Sequence, residues 1–458
     1  MKQEVISRMH QIMNKEQILT NLEDRMTYAY DGTMQTGVPG VVVFPRTTRQ
    51  VAEALRLANR EKIPVYPRGA GTGLSGGSVP EQGGIALVLT DMNRILEVDT
   101  GNLLAVVEPG VVTEALQQEV ERVGLFYPPD PGSLKSCTIG GNIAENAGGP
   151  RALKYGVTRD YVLGLEVVTP TGEILRTGGK TVKNVTGYDL TRLMTGSEGT
   201  LGVVTRAVLR LIPRPQDVRT AMAVFATVDG AAEAVAEVSR RGILPTTLEL
   251  MDDVTIRCVE NYLHMGLPVD AGAILLIEVD GFRPAVDEAI ITVEKVCREL
   301  GATGVEVAAG PAEREELWRA RRAVSAAIVQ LKPTKISEDA TVPRSRVPEM
   351  VRRLKAIAQK YDLTMAIFGH AGDGNLHPNI LADRRDPEEM ARVELAVEEL
   401  FRAAMELEGT LSGEHGIGSM KAPYLPLEVG ETGMRVMRGI KAALDPNNIL
   451  SPGKMLWG

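Results

Sequence analysis

Cysteine is scarce. Three occur in 458 residues, at Cys137, Cys258 and Cys297. They form no CxxC pair and no even framework, which excludes a disulfide scaffold and fits a reducing cytoplasm. An excess of positive charge is also missing. Lys and Arg number 51 against 59 Asp and Glu, a net charge of −8, so a nucleic-acid role has no electrostatic footing. Long apolar runs are absent. Stretches such as "GAILLIEV" (272–279) fall far short of the roughly 20 residues of a membrane span. The opening "MKQEVISRMHQIMNKEQILTNLEDR" is a charged helical pattern without a signal-peptide core. No short-period repeat and no low-complexity tract interrupts the chain. Histidine is rare as well: His10, His264, His370, His377 and His415.

What is present is length and apolar content. At about 150 residues per domain the chain predicts two or three domains, and 44% hydrophobic residues can build large cores. The first half alternates strand-like runs ("VVVFP", "GIALVLT", "ILEVD", "LLAVVEPG") with helical stripes over 47–62 and 113–123. Residues 126–156 have little periodicity, and a loop of that length in a compact domain is usually functional. "VLGLEVVTPTGEILRTG" reads as a hairpin turning at Pro170-Thr171-Gly172. Pro213 and Pro215 suggest a boundary near 215. Beyond it the order becomes strand, helix, strand, strand, helix, strand, which predicts an antiparallel sheet covered by helices on one face. Further helices follow at about 313–331, 346–360 and 386–407.

The stretch "PRGAGTGLSGGSVP" (67–80) contains Gly71-Thr72-Gly73-Leu74-Ser75-Gly76, a match to the dinucleotide fingerprint GxGxxG. That fingerprint needs a helix directly after it, to seat a pyrophosphate on the helix N-terminus. Ser75 to Gly84 holds Gly76, Gly77, Pro80, Gly83 and Gly84 and no amphipathic stripe. A Rossmann reading is therefore poor. A glycine-rich loop whose backbone N–H groups wrap an anion remains, with Arg68 supplying a cation.

Five separated segments occur in a fixed order: the loop at 67–80, "PPDPGSLKSCTIGGNIAENAGGPRALKYG" (128–156), "GYDLTRLMTGSEGTLGVVT" (187–205), "FGHAGDGNLHPNI" (368–380) and "SGEHGIG" (412–418). Together they resemble the FAD-linked oxidase family, the flavoproteins with a vanillyl-alcohol-oxidase type of FAD domain. The branch resembled is that of D-lactate dehydrogenase, the glycolate oxidase flavoprotein subunit and D-2-hydroxyglutarate dehydrogenase. The resemblance runs from Tyr30-Asp31-Gly32-Thr33 to "DPNNILSPGK" (445–454). It implies an α+β protein: a two-part FAD-binding domain plus an α+β substrate, or cap, domain with an antiparallel sheet. The expected divisions are a helical segment (1–36), the FAD domain (37–215), the cap (216–412) and a C-terminal segment returning to the flavin (413–458).

Carried over position by position, Arg68, Gly69, Ala70, Gly71, Thr72, Gly73, Leu74 and Ser75 form one wall of the FAD site. Pro131, Ser133, Thr138, Gly141, Asn142 and Ala144 form the other, and Glu198, Gly202 and Val203 lie along the adenosine side. Two departures stand out. Some relatives tether FAD to a histidine, and neither loop here contains one, so FAD is expected to be non-covalent. The family's C-terminal motif carries an asparagine where this chain has Ser451.

A second constellation lies near the C-terminus. His370 and His377 flank a glycine-rich turn, and Glu414-His415 sits in another. Two imidazoles and a carboxylate suit Zn²⁺, Mn²⁺ or Fe²⁺ with positions left open. Histidines that merely hydrogen-bond loops are the plain alternative. The family's metal triad matches His370, His377 and Glu414. On the helix at 313–331, Leu317, Arg321, Val324 and Ile328 share a stripe. An arginine on an apolar stripe needs an anion, either a structural acid or a substrate carboxylate. The resemblance implies the substrate carboxylate, with Lys335 and Asn379 assisting, although the spacing from Lys335 to Pro343 differs from that of some relatives.

The function implied is a FAD-dependent dehydrogenase of a D-2-hydroxy acid, D-lactate or glycolate. Hydride would go to flavin N5, His415 would act as base, and electrons would pass to an electron-transfer flavoprotein or iron–sulfur subunit. A cytoplasmic location follows, with any membrane association coming through a partner. Two rivals are a non-catalytic FAD-binding subunit of such a complex and a metal-dependent hydrolase. The His370/His377/Glu414 set argues against the first and the flavin loops against the second.

Overall fold

The computed structural model describes residues 2–456. The chain separates into two compact units. The first contains the chain up to Gly148, Val157–Arg214 and everything from Glu414 on; the second contains Gly149–Gly156 and Pro215–Gly413.

In the first unit, Val41–Val43, Ile85–Val88 and Val65–Arg68 pair in parallel, and Ile18–Leu19 adds an antiparallel edge. The helix Thr48–Glu61 begins where the Thr47 side chain accepts a hydrogen bond from the Gln50 N–H, and ends at Lys62 in the left-handed region. Its stripe of Val51, Leu55 and Ala58 packs on this sheet together with Val5 and Met9 of the helix Gln3–Ile12 and with Ile449 and Leu450. A second sheet is antiparallel throughout, in the order Ile95–Asp99, Leu104–Val107, Val203–Arg210, Val162–Val168, Ile174–Gly178. The hairpin read from the sequence is there, with Val168 opposite Ile174. No helix follows the strand Val65–Arg68 through residue 84, so the Rossmann arrangement is absent. The stretch 126–156 is less irregular than its sequence suggests. It contains the helix Ile139–Glu145, whose cap Thr138 accepts from the Gly141 N–H. Two glycines in that helix weaken its local propensity.

The second unit is built on an antiparallel sheet in the order Ala302–Val307, Asp217–Phe225, Ala273–Gly281, Thr247–Asp252, Thr364–His370, Asn375–Ala382, Thr334–Ser337, with Ala340–Thr341 also pairing on Asn375–Ala382. Helices cover both faces rather than one. Every residue of Thr247–Asp252 and Asn375–Ala382 is buried, whichever way it points. Met251, Ile274, Phe368 and Leu381 pack against the helices Asp253–Leu263 and Pro311–Ile328. The other face takes Val228–Arg240, Arg283–Glu299, Val347–Lys360 and Pro387–Glu406. The helix Asp253–Leu263, which the sequence reading passed over, is capped by Asp252 on the Thr255 N–H. No helix among the described residues is long and apolar enough to cross a membrane.

Candidate active site

In the second unit a cluster of polar side chains lies on one face of the sheet. The strands Thr364–His370 and Asn375–Ala382 form a hairpin in which His370 stands opposite Asn375 and Phe368 opposite His377. Opposed residues in an antiparallel pair point to the same face, so both imidazoles meet there. Their ring centroids are 5.0 Å apart and nearly perpendicular. Phe368 packs edge-on to His377. Gly374 makes the turn possible: its φ is +89°, and a Cβ there would lie 1.9 Å from the Val342 carbonyl oxygen.

Behind His370 lies Glu249, fully buried on the neighbouring strand. Its Oε1 is 2.5 Å from His370 Nδ1, and its Oε2 accepts from Arg321 Nε at 2.7 Å. Burial alone would push this carboxyl up, but the facing His370 and Arg321 hold it down at about 2. An ionised carboxylate only accepts hydrogen bonds, so His370 presents Nδ1–H to it, which in the neutral ring leaves the lone pair on Nε2. This is the usual arrangement behind a metal-binding histidine. The Arg321 guanidinium also lies 4.9 Å from the Phe368 ring centre. The anion that satisfies Arg321 here is thus a protein carboxylate, approached through Nε; the outer Nη edge makes no hydrogen bond among the described residues.

Asp339 is a second buried acid beside the pair, 3.8 Å from His377 Nδ1. It accepts from Asn375 Nδ2 at 2.5 Å and from Ser412 Oγ at 2.8 Å. Asn379 is buried, donates Nδ2 to the His377 carbonyl, and leaves Oδ1 without a partner among the described residues. Ser337 opposes Asn379 and Lys335 opposes Leu381, so Lys335 shares this face. Burial lowers its pKa, and its side chain forms no ion pair or hydrogen bond among the described residues. Neither Glu249 nor Asp339 was singled out from the sequence.

In the first unit the two loops face each other. Thr72 and Ser133 hydroxyls lie 3.5 Å apart. A Cβ on Gly69 would be 2.3 Å from Thr138 Oγ1, and one on Gly71, at φ +72°, would be 2.0 Å from Arg68 Nη2. Arg68, the last residue of its strand, is buried, donating to the Tyr30 carbonyl at 2.6 Å and to Ser78. Asn142 donates to Thr113. Pro131 lends its carbonyl to the Leu134 N–H, and Ala144 accepts from the Glu198 N–H. Glu198, at φ +52°, accepts from the Ile417 and Gly418 N–H groups at 2.8 and 2.6 Å. A Cβ on Gly202 would press on Val167, and Val203 begins a buried strand. The hydroxyls of Ser75 and Ser451 are buried without a partner among the described residues. Ser451 stands at φ +44°, held by its N–H on the Val65 carbonyl. Glycine-bared backbone and orphaned hydroxyls fit a phosphate-bearing cofactor. Glu414 and His415 open the last stretch of this unit, directly after Gly413 in the chain, and Glu414 packs against Gly148.

Two family models match stretches of the chain. Residues 39–178 match the family described as FAD binding domain, and residues 214–455 match FAD linked oxidases, C-terminal domain. The chain is 50% identical over 432 residues to the glycolate oxidase subunit GlcD of Bacillus subtilis (strain 168), covering 94% of this chain and 92% of that one. It is 39% identical to a D-lactate dehydrogenase of Anaerostipes hadrus, covering 92% and 90%. The structure of p-cresol methylhydroxylase with substrate bound superposes with a TM-score of 0.81 at 18% identity, over 99% of this chain and 96% of that one, a likeness of fold.

Proposed function

This chain belongs to the FAD-linked oxidases, and we propose that it oxidises a small D-2-hydroxy acid, D-lactate or glycolate, to the 2-oxo acid. The observation that supports this most is the Arg321–Glu249–His370–His377 arrangement. It sets a guanidinium edge and two imidazoles on one buried face, the donor set that a carboxylate beside a hydroxyl would use. Relatives named for glycolate and for D-lactate support the substrate class.

FAD, held non-covalently by the loops at 68–75 and 131–144, supplies a hydride acceptor at N5 and can release electrons singly. His370 and His377, joined by Glu414, hold a divalent metal, Zn²⁺, Mn²⁺ or Fe²⁺. Arg321 grips the substrate carboxylate through its planar fork. Lys335 and Asn379 complete the polar wall. His415 takes the hydroxyl proton. A protein acceptor, an electron-transfer flavoprotein or iron–sulfur subunit, receives the electrons; the relative named as a subunit supports a partner.

The test is anaerobic. Glycolate, D-lactate, L-lactate and D-2-hydroxyglutarate are each mixed with the purified yellow protein, and bleaching of the flavin is followed. D-Lactate or glycolate should bleach it, and prior chelation should abolish bleaching while leaving FAD in place. Full-rate bleaching by metal-free protein, verified by elemental analysis, would remove the metal from the reading. No bleaching by any of the four acids would leave a non-catalytic FAD subunit.

A further inference from the structure

We propose that Glu249 is a positioning residue that sets the substrate-gripping arginine and a metal-binding imidazole from one carboxylate. It rests on the reading above and adds a residue that reading does not contain.

The sequence places a single acid in the middle of "TLELM" (247–251). The strand pairs on both sides, with Leu276 opposite Glu249 on one and Gly369 opposite Leu250 on the other. Its side chain is 0% exposed. Burying an unpaired carboxylate is costly, and such a group persists only when its oxygens are matched by donors. Glu249 has two, one per oxygen: His370 Nδ1 at 2.5 Å and Arg321 Nε at 2.7 Å. No further hydrogen bond reaches it among the described residues. One rigid group on a central strand thus fixes a side chain from a helix and a side chain from the neighbouring hairpin.

Each contact has a directional consequence. Occupying Nδ1 of His370 leaves Nε2 as its only electron-pair donor, so the imidazole meets a metal in one orientation. Occupying Nε of Arg321 leaves the Nη1/Nη2 edge, which matches the two oxygens of a carboxylate end-on. The Phe368 ring beneath the guanidinium limits its tilt. A purely structural ion pair would hold the fold and leave metal affinity and substrate binding untouched. The proposal requires both to move.

Glu249→Gln keeps the shape and removes the ability to accept twice, since the amide offers one acceptor oxygen and one donor nitrogen. The full-length protein is loaded with Co²⁺, whose visible bands report coordination, and titrated against a competing chelator. The expected result is a loss of cobalt affinity of about tenfold to a hundredfold. A rise in KM of roughly tenfold or more should accompany it, because a hydrogen bond to a charged group is lost. FAD content should stay unchanged. In an Arg321→Lys background, Glu249→Gln should add little to KM yet still weaken cobalt binding. Glu249→Asp, shorter by one methylene, should retain one partner and one of the two effects. Should either variant fail to fold, nitrogen NMR of the wild-type histidines decides: His370 must carry its proton on Nδ1, and an Nε2–H tautomer in metal-free protein overturns the proposal. Wild-type protein that takes up no divalent metal overturns the functional reading, and the proposal with it. Wild-type protein that binds cobalt, with Glu249→Gln binding it equally and an unchanged KM, overturns the proposal alone.

Discussion

Lys441→Met tests how the C-terminal segment is fixed within the first unit. The Lys441 ammonium donates to Asp445 Oδ2 at 2.6 Å, to the Thr200 carbonyl at 2.8 Å and to the Leu450 carbonyl at 2.8 Å. Asp445 is fully buried and also accepts from the Ile449 and Leu450 N–H groups. One cation therefore ties the turn after Glu198 to the residue preceding Ser451. The Val65 N–H then donates to the Ile449 carbonyl, so the knot extends to the strand that feeds the glycine-rich loop. Methionine preserves the aliphatic stem and a good helix propensity. It strands the Asp445 charge and two carbonyls. Breaking a buried pair by removing one partner costs about 3–5 kcal/mol. Burial outweighs Asp445 and lowers the Lys441 pKa, so the pair is not fully compensated and the lower end applies. About 3 kcal/mol corresponds to roughly a hundredfold in equilibrium. The assay is urea unfolding of the FAD-loaded protein, followed by flavin fluorescence as the cofactor leaves, with titration of the apoprotein by FAD alongside. FAD should leave at lower urea and bind more weakly. Adding Asp445→Asn should restore much of the loss, because it removes the stranded charge. A Lys441→Met change within about 0.5 kcal/mol of wild type, the range of an ordinary surface substitution, would refute the reasoning.

Four further outcomes follow from the same geometry. Burial and the neighbouring Glu198 raise the Glu145 carboxyl well above its ordinary 4.5; between those values the unfolded chain ionises first and stability falls as pH rises, so Glu145→Gln should melt with wild type near about pH 4 and increasingly above it at higher pH, and parallel melting curves would count against a neutral native Glu145. Gly71→Ala, forced to φ +72° and onto Arg68, should purify with depleted FAD, and full flavin stoichiometry would show that the loop relaxes freely. Acid precipitation should leave the yellow colour in the supernatant, whereas flavin in the washed pellet would mean a covalent link. His415→Ala should slow flavin bleaching at saturating substrate by about 10²–10⁴ while Arg321→Lys mainly raises the substrate concentration needed; bleaching at wild-type speed by the first, or unchanged substrate dependence in the second, would reassign the residue.

The fold was legible where side chains carry their own period. "ILEVD" is a strand from Ile95 to Asp99, and the stripe Val51, Leu55, Ala58 lies buried on its helix. The helix Asp253–Leu263 carried a signal as well, with Asp252 as cap and Ile256 and Val259 buried, but it follows a strand without an intervening loop and its start is hidden in "LMDD". The helix Ile139–Glu145 was hidden for another reason: Gly140 and Gly141 erase the stripe. "GAILLIEV" held information that was not taken from it. A strand with one face in water alternates; a strand apolar throughout is covered on both sides, which is how Ala273–Gly281 lies in the sheet.

The site was legible in part for the same reason. Arg321 could be picked out because a charge on an apolar helical stripe is anomalous, but its partner lies 72 residues away on a strand, and pairing at that distance depends on sheet order. A strand rule parallel to the helix rule was still available. "TLELM" and "LLIEV" each contain one acid among apolar neighbours, and a strand buried on both faces has no water in which to place it. Both acids are in fact matched by donors. Glu249 takes His370 and Arg321; Glu278 takes Thr220 and the Trp318 indole N–H, at 2.8 and 3.0 Å. Thr247 stands opposite Glu278 and Leu276 opposite Glu249, so the two acids share one face of the sheet. Arg321 and Trp318, three residues apart on one helix, answer one acid each. A lone acid in an apolar strand and a lone cation in an apolar helical stripe are two halves of one requirement, and reading them together narrows the partner of Arg321 to Glu249 or Glu278, between which sheet order decides.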